Sequence, residues 1–289
     1  MVTASRFQEQ DMGDQMTFLI TGISSGLGKA FAEGAVSAGH TVIGTVRNPD
    51  AAADFEALAP GRAHAVVLDV TDFDAMPGAV AKAEAEVGPI DVLVNNAGYG
   101  HEGVVEESSL DELCRQFDTN VFGAVAMIKA VLPRMRQRRS GHIVNVTSMG
   151  GFITMPGIAY YNGSKFALEG ISEALGREVK PFGVHVTALA PGGFRTDWAG
   201  RSMVRTPRAI PDYDAVMDPI RAGRQARHGN QLGDPAKAAE ALLKLVAAEN
   251  PPAHLFLGTD ALQLVSEKIE ALKAEMAAWE AVSRSTDIV

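Results

Sequence analysis

Tyr161 and Lys165 stand four residues apart in the segment Tyr161-Asn162-Gly163-Ser164-Lys165. On a helix that spacing puts both side chains on one face. A phenol can give a proton to a developing alkoxide while hydride arrives at the neighbouring carbon, but its free pKa of about 10 suits neutral pH poorly. A nearby ammonium favours phenolate, so Lys165 is expected to lower the pKa of Tyr161. Ser148 closes the apolar run His142–Thr147, thirteen residues before Tyr161. From a strand end its hydroxyl can hold a substrate oxygen beside the phenol. Asn120, in Phe117-Asp118-Thr119-Asn120-Val121-Phe122-Gly123, is a polar side chain in an apolar helical pattern and needs partners. It is expected to hold the helix open around a water that leads toward Lys165. Tyr160 has no lysine four residues on and drops out.

A second group of residues points to a bound dinucleotide. Thr21-Gly22-Ile23-Ser24-Ser25-Gly26-Leu27-Gly28 follows an apolar strand-like run and opens a helical one. Glycines there let backbone approach a pyrophosphate, and a helix N-terminus offers free N–H groups and the positive end of its dipole. The glycine spacing is G-x-x-x-G-x-G rather than G-x-G-x-x-G. The second strand-like run ends at Thr45-Val46-Arg47-Asn48, where an adenosine ribose would be read. No acid stands there to bind two ribose hydroxyls, and Arg47 suits a 2′-phosphate. Asp69, after Val66-Val67-Leu68, is placed to meet an adenine or else to cap the turn before Thr71. Asn95-Asn96-Ala97-Gly98 follows a fourth apolar run, with small residues where a cofactor would lie and amides able to tie strands together.

Elements must bring these groups to one place. Strand-like runs fall at Met16–Ile20, His40–Val46, Ala65–Leu68, Ile90–Val94, His142–Val146, Val184–Leu189 and His254–Leu257. They are nearly continuously apolar, as expected of strands buried on both faces. Their alternation with helical patterns implies an α/β fold, a doubly wound parallel sheet covered by helices on both sides. One helix is predicted over 110–137, opened by a capping box at Ser109 and Glu112 and bent or ended at Pro133. Another is predicted over 158–180, and a first over 29–38. Residues 193–233, with Pro207, Pro211 and Pro219, show little periodicity and are expected to form a substrate loop or lid. From Ala261 to Val282 the apolar residues Leu264, Val265, Ile269, Leu272, Met276 and Trp279 recur at helical spacing, a face for the core or for another subunit. Residues 1–15 are expected to be a flexible polar tail before a single domain over 16–289.

The 289 residues carry 35 acidic and 26 basic side chains, a net charge of −9. That balance argues against nucleic acid or an anionic membrane as partner. With one cysteine, Cys114, no internal disulfide can form, and its place in a predicted helix reads as inert packing. No metal-ligand cluster is expected. The first residues lack a signal-peptide core, so a cytoplasmic location is expected.

Together the ordered motifs resemble the short-chain dehydrogenase/reductase superfamily, from about Thr17 to Thr196. The resemblance implies a Rossmann-like sheet of about seven strands and a catalytic tetrad of Asn120, Ser148, Tyr161 and Lys165. It implies cofactor contacts at Gly22, Ser24, Ser25, Gly26, Leu27, Gly28, Arg47, Asp69, Val70, Asn96, Ala97, Gly98, Tyr161, Lys165, Pro191, Gly192 and Thr196. It implies NADP(H) as cofactor, a small-molecule carbonyl or secondary alcohol as substrate, and a homodimer or homotetramer built through the two long helices. One departure is Ser25, where some NADP(H)-dependent members carry a basic residue. The segments around Gly98–Gly123 and Pro191–Gly200 look most like the branch similar to hydroxysteroid and retinol dehydrogenases. Phe152, Ile153, Phe194 and Trp198 suggest an apolar substrate. Three other readings compete: reduction of acyl-carrier thioesters with Arg134, Arg136, Arg138 and Arg139 as a carrier-docking patch, an inactive nucleotide sensor, and a sugar-nucleotide epimerase or dehydratase.

Overall fold

In the computed structural model, which describes residues 15–288, seven strands pair side by side, all parallel. They are β1 (Thr17–Thr21), β2 (Thr41–Val46), β3 (Ala63–Val67), β4 (Val92–Asn95), β6 (Gly141–Val146), β7 (Val184–Pro191) and β9 (His254–Leu257). The sheet order is β3-β2-β1-β4-β6-β7-β9. Chain direction across the sheet therefore reverses between β1 and β4, and ligands of such sheets bind outside the carboxyl ends of the strands at that reversal. The predicted strands match these seven to within two residues at either end. Two short strands were not foreseen: β5 (Gly100–Glu102) and β8 (Met203–Arg205), which pair parallel in a separate ribbon.

Helices cover both faces because the strands are apolar on both. On one face Phe31 of α1 (Gly26–Ser37), Phe55 of α2 (Pro49–Leu58) and Leu242 of α8 (Pro235–Val246) pack on Phe18, Val42 and Val94. On the other, Met76 of α3 (Ala75–Val87), Met127 of α5 (Gly123–Arg138) and Val179 of α6 (Ala159–Val179) pack on Leu19, Leu93 and Ile143. Alternate residues of each strand thus feed opposite cores.

The helix predicted over 110–137 is divided. The capping box forms, with Glu112 N–H donating to Ser109 Oγ and Ser109 N–H to Glu112 Oε2, and opens α4 (Leu110–Phe117). A π-helical turn over Asp118–Phe122 then separates α4 from α5. Pro133 does not end α5, which runs on to Arg138 and stops where Arg139 turns left-handed at φ 57°. Residues 193–233 are more ordered than their sequence suggests. They hold β8 and a helix, α7 (Asp214–Arg227), with Pro219 inside it. The remaining helices are α9 (Thr259–Ala278) and α10 (Glu280–Arg284). Cys114 is exposed on α4, so it is not the packing residue expected. The predicted tail over 1–15 lies, except for its last residue, outside the described residues.

Candidate active site

The carboxyl edge of the sheet gathers almost every residue singled out from the sequence. Where β1 ends, Gly22 and Gly26 adopt left-handed backbone, φ 72° and 59°, a region open to glycine at little cost. Gly28 lies in the first turn of α1, where a β-carbon would fall 2.2 Å from Asn96 Nδ2 and 2.3 Å from the Gly22 carbonyl oxygen. Asn96 explains that closeness: its amide donates to the carbonyls of Thr21 and Gly22, while Thr21 Oγ1 accepts from the N–H groups of Asn96 and Ala97. The Gly-rich turn is thereby fastened to the end of β4. Ser25, the N-cap of α1, makes no side-chain cap, so the helix start keeps its N–H groups for a ligand. Thr196 stands over Gly26, and a cavity of about 450 Å³ opens there between Gly26, Arg195–Asp197 and His228–Gly229. Left-handed glycines, an uncapped helix start and a cavity above them fit the pyrophosphate of a dinucleotide.

The other residues expected to touch a cofactor stand at the ends of neighbouring strands. Ser24 is exposed, whereas Leu27 packs against the core. Arg47 follows β2 directly and is exposed, while Asn48 is occupied as N-cap of α2 through Asp50 N–H. Asp69 Oδ1 accepts from both the N–H and the hydroxyl of Thr71. Partial burial opposes its ionisation, but those two bonds and the charge of Arg47 outweigh it and hold the carboxyl below its usual range. Val70 is buried in the core, with its carbonyl against Gly123. A β-carbon on Gly98 would lie 3.0 Å from Asn120 Oδ1. Gly192 and Gly193 wrap Asp260, whose Oδ2 accepts from Gly193 N–H at 2.7 Å.

Tyr161, Lys165 and Ser148 meet at the end of β6. Ser148 hydrogen-bonds the Tyr161 hydroxyl and accepts from Gly150 N–H. Lys165 Nζ lies 5.8 Å from the centre of the Tyr161 ring and donates to the Val146 carbonyl at 2.8 Å. Both side chains are buried. Burial therefore dominates their acidities. It pushes Tyr161 up to about 12 despite the Ser148 bond, and pulls Lys165 down to about 8 despite the nearby Glu169 carboxylate. The expectation that Lys165 lowers the Tyr161 pKa is not met in this geometry, because its ammonium is committed to Val146 and desolvation is the larger effect.

Asn120 sits in the π-helical turn, as wide turns often do at functional positions. Its side chain is fully used: Oδ1 accepts from Tyr99 N–H, and Nδ2 donates to the Tyr99 carbonyl and to Ser164 Oγ. The amide thus ties the loop after β4 to α6 one residue before Lys165. Tyr160 turns away, donating to the Ser108 carbonyl and stacking on His101.

Residues 16–204 match the short chain dehydrogenase family. The chain belongs to the short-chain dehydrogenase/reductase family. It is 39% identical to an oxidoreductase of Botryotinia fuckeliana over 92% of this chain and 97% of that one. It is 40% identical to a 3-ketodihydrosphingosine reductase of Bacteroides thetaiotaomicron over 83% of this chain and 87% of that one. The crystal structure of a short-chain dehydrogenase from Streptomyces avermitilis superposes with a TM-score of 0.88 at 42% identity, covering 95% of this chain and all of that one. This member of the family is accordingly an oxidoreductase that works on a carbonyl/alcohol pair with a nicotinamide nucleotide. Among the described residues no helix is long and apolar enough to cross a membrane, and no cluster of side chains suits a metal ion.

Some contacts of this dehydrogenase's site were not legible in its sequence. Trp198 tilts onto Tyr161 with ring centres 5.0 Å apart and so supplies part of its burial. Of the four apolar residues expected to line a pocket, Trp198 alone is seen against Tyr161. Phe152 packs on Phe256 and His254, Phe194 on Gly233, and Ile153 is buried. Glu169, one turn beyond Lys165, is buried and pairs with His254 Nδ1 at 3.0 Å. Burial raises its pKa against the pull of Thr147, His254 and Lys165. The i, i+4 spacing of Tyr161, Lys165 and Glu169 was a signal for it, but His254 comes from a strand far along the chain. Three of the four arginines considered for carrier docking have partners within the chain: Arg134 and Arg138 pair with Glu84, and Arg139 donates to the Pro181 carbonyl.

Proposed function

We propose that this chain interconverts an apolar ketone and its secondary alcohol with NADP(H), with Tyr161 as general acid and base. The observation that carries the reading is the meeting of the Ser148 and Tyr161 hydroxyls in a buried site, with the Lys165 ammonium against the tyrosine ring. When bound, the nicotinamide would supply or accept the hydride. The chain's own residues supply the rest. Ser148 and Tyr161 hold the substrate oxygen between them, and Tyr161 gives it a proton on reduction or takes one on oxidation. Lys165, once its ammonium is released from the Val146 carbonyl, would favour the phenolate that remains, most strongly in the dry surroundings that Trp198 helps to make. Asn120 positions Lys165 through Ser164 and fixes the loop carrying Gly98. The residues assigned to the cofactor are those at the strand ends, from Gly22 and Ser24–Gly28 through Arg47, Asp69, Val70, Asn96–Gly98, Pro191 and Gly192 to Thr196, together with Tyr161 and Lys165.

NADP(H) rather than NAD(H) is favoured by Arg47, an exposed guanidinium at the ribose end of β2 with no acid beside it in sequence. An apolar substrate is favoured by Trp198 over Tyr161 and by the likeness to a reductase named for a long-chain sphingoid ketone. Segment 193–233 serves as the cover of this site. A homodimer or homotetramer through the long helices is favoured by α6, which exposes Ala159, Gly163, Phe166 and Gly170 along one face, beside the exposed Phe122 that precedes α5.

The test is turnover on a panel of long-chain ketones and their alcohols, run with NADPH and NADH in parallel. Tyr161→Phe is expected to cut kcat by roughly 10²–10⁴-fold. No change in NADPH absorbance across the panel, with Tyr161→Phe indistinguishable from the parent, would overturn the reading.

A further inference from the structure

The outer part of α9 has no covering within its own chain. Ala261 and Val265 are buried on the body of the protein, but from Ile269 onward the helix projects into solvent. Its apolar residues nevertheless keep one stripe. Leu262, Val265, Ile269, Leu272, Met276 and Trp279 follow one another at steps of three and four. That is the a/d spacing of a coiled-coil seam. Ile269, Leu272, Met276 and Trp279 are 45%, 43%, 72% and 65% exposed. Scattered exposed apolar side chains need no explanation, but a heptad-spaced row on a projecting helix does. An anionic bilayer does not fit it, because Glu267, Glu270, Glu275 and Glu280 outnumber Lys268, Lys273 and Arg284 along α9 and the short α10 that follows it.

The flanking charges say what does fit. Taking Ile269 as position a, Lys268 and Glu275 occupy g, and Lys273 and Glu280 occupy e. Two such helices side by side and parallel would set Lys268 against Lys273 and Glu275 against Glu280, like charges at every charged g–e contact. Reversed, with Ile269 facing Leu272 of the other helix, the exposed residues meet as Ile269 on Leu272, twice by symmetry, and Leu262 on Trp279, while Met276 reaches the partner's body beside the buried Val265. In that register each Lys268 faces a Glu275, twice by symmetry. Sliding the reversed pair outward by half a heptad step in each helix puts Glu275 against Glu275 and Lys273 against Lys273. Neither Lys268 nor Glu275 has an ion-pair partner in its own chain among the described residues. Such an arrangement has a two-fold axis near residues 270–271 and is self-complementary, as closed dimers require.

We infer that α9 is an arm that pairs antiparallel with α9 of a second copy of this chain, along Leu262, Ile269, Leu272, Met276 and Trp279. This surface is separate from the α6 face and adds one two-fold contact to whatever assembly that face makes. The partner helix covers the outer half of each arm and leaves its tip against the body near Val265.

The full chain is weighed in solution by light scattering or sedimentation across micromolar concentrations, beside the double variant Leu272→Glu/Met276→Glu. Halving of the mass, with thermal midpoint and NADPH turnover retained, is the expected result. An unchanged mass, or a parent that is monomeric throughout, overturns the proposal. The register has its own test, independent of folding defects. Lys268→Glu and Glu275→Lys should each weaken association, on the order of tenfold, and the two together should restore it. A double charge swap no tighter than the single variants overturns the antiparallel register.

Discussion

Lys165 shows what burying a group proposed to act in turnover costs the fold. Burial holds its pKa near 8, below the value of about 10.4 of an exposed lysine. Between pH 8 and 10.5 the unfolded chain therefore binds more protons than the native one, and this lysine adds stability as pH rises through that window. Below pH 8 its full cost is present, about 3 kcal/mol at 1.36 kcal/mol per unit. Lys165→Met should accordingly abolish turnover yet match or exceed the parent in stability at pH 7, with the difference shrinking toward pH 10.5. Thermal unfolding of both proteins at pH 7, 8, 9 and 10 checks this, and a difference independent of pH contradicts it. Tyr161, raised to about 12, acts only above pH 10 and in the opposite sense. Arg47 belongs to the same scale. Arg47→Ala should raise KM for NADPH by roughly ten- to a hundredfold, the loss of about 1.5–3 kcal/mol from a charge-assisted bond, and leave KM for NADH nearly unchanged. An equal effect on both nucleotides would remove it from 2′-phosphate recognition.

At the scale of elements, segment 193–233, the proposed cover of the site, is held by charge as well as by Trp198. Glu102 on β5 is buried and receives Arg224 Nη1 of α7 at 2.8 Å, with Arg221 and Arg205 within 4 Å. Thr206 N–H also donates to the Glu102 carbonyl. One carboxylate therefore clamps β8 and α7 to the ribbon beside the active site. Removing a buried partner leaves cations stranded and costs about 3–5 kcal/mol. For Glu102→Ala that cost should fall on the cover: amide exchange across 203–227 should speed up and substrate KM should rise, while β1 and β4 exchange as in the parent. Uniform acceleration over the whole chain would instead mean that Glu102 supports the global fold. None of this clamp was visible in the sequence, since Glu102, Arg205 and Arg224 share no periodicity and meet only through β5–β8 pairing. The capping box at Ser109 was visible because it is completed within four residues.

The whole molecule is sewn together by polar groups inside the sheet. Asn95 Nδ2 donates to Asn145 Oδ1, Asn145 Nδ2 to Ser172 Oγ, and so β4, β6 and α6 share one buried chain. His142, buried on β6 beside His185 and bonded to Thr187 Oγ1 at 3.0 Å, sets an acid limit on stability. Burial and the His185 charge lower its pKa to about 4. Its contribution is present above pH 6.5 and is lost as pH falls through 4, because the unfolded chain takes up the proton first. The loss is about 3 kcal/mol. His142→Gln should flatten the fall in melting temperature between pH 6.5 and 4, and identical slopes for parent and variant would assign the acid limit elsewhere.

The strands, their parallel direction and the meeting of the side chains proposed to react were legible in the sequence because each rests on local physics. Apolar runs bury on two faces, glycines mark left-handed turns, and a tyrosine four residues before a lysine shares its helix face. The outcome at those side chains was not local. Lys165 sits beside Tyr161 as its spacing requires, yet tertiary burial, completed by Trp198 from a segment without periodicity, decides the acidity of both. Likewise the heptad spacing of α9 stands in the sequence, but only the fold shows where the body ends and leaves that stripe in water. Side-chain order follows from neighbours along the chain; solvent exclusion depends on neighbours brought together by folding.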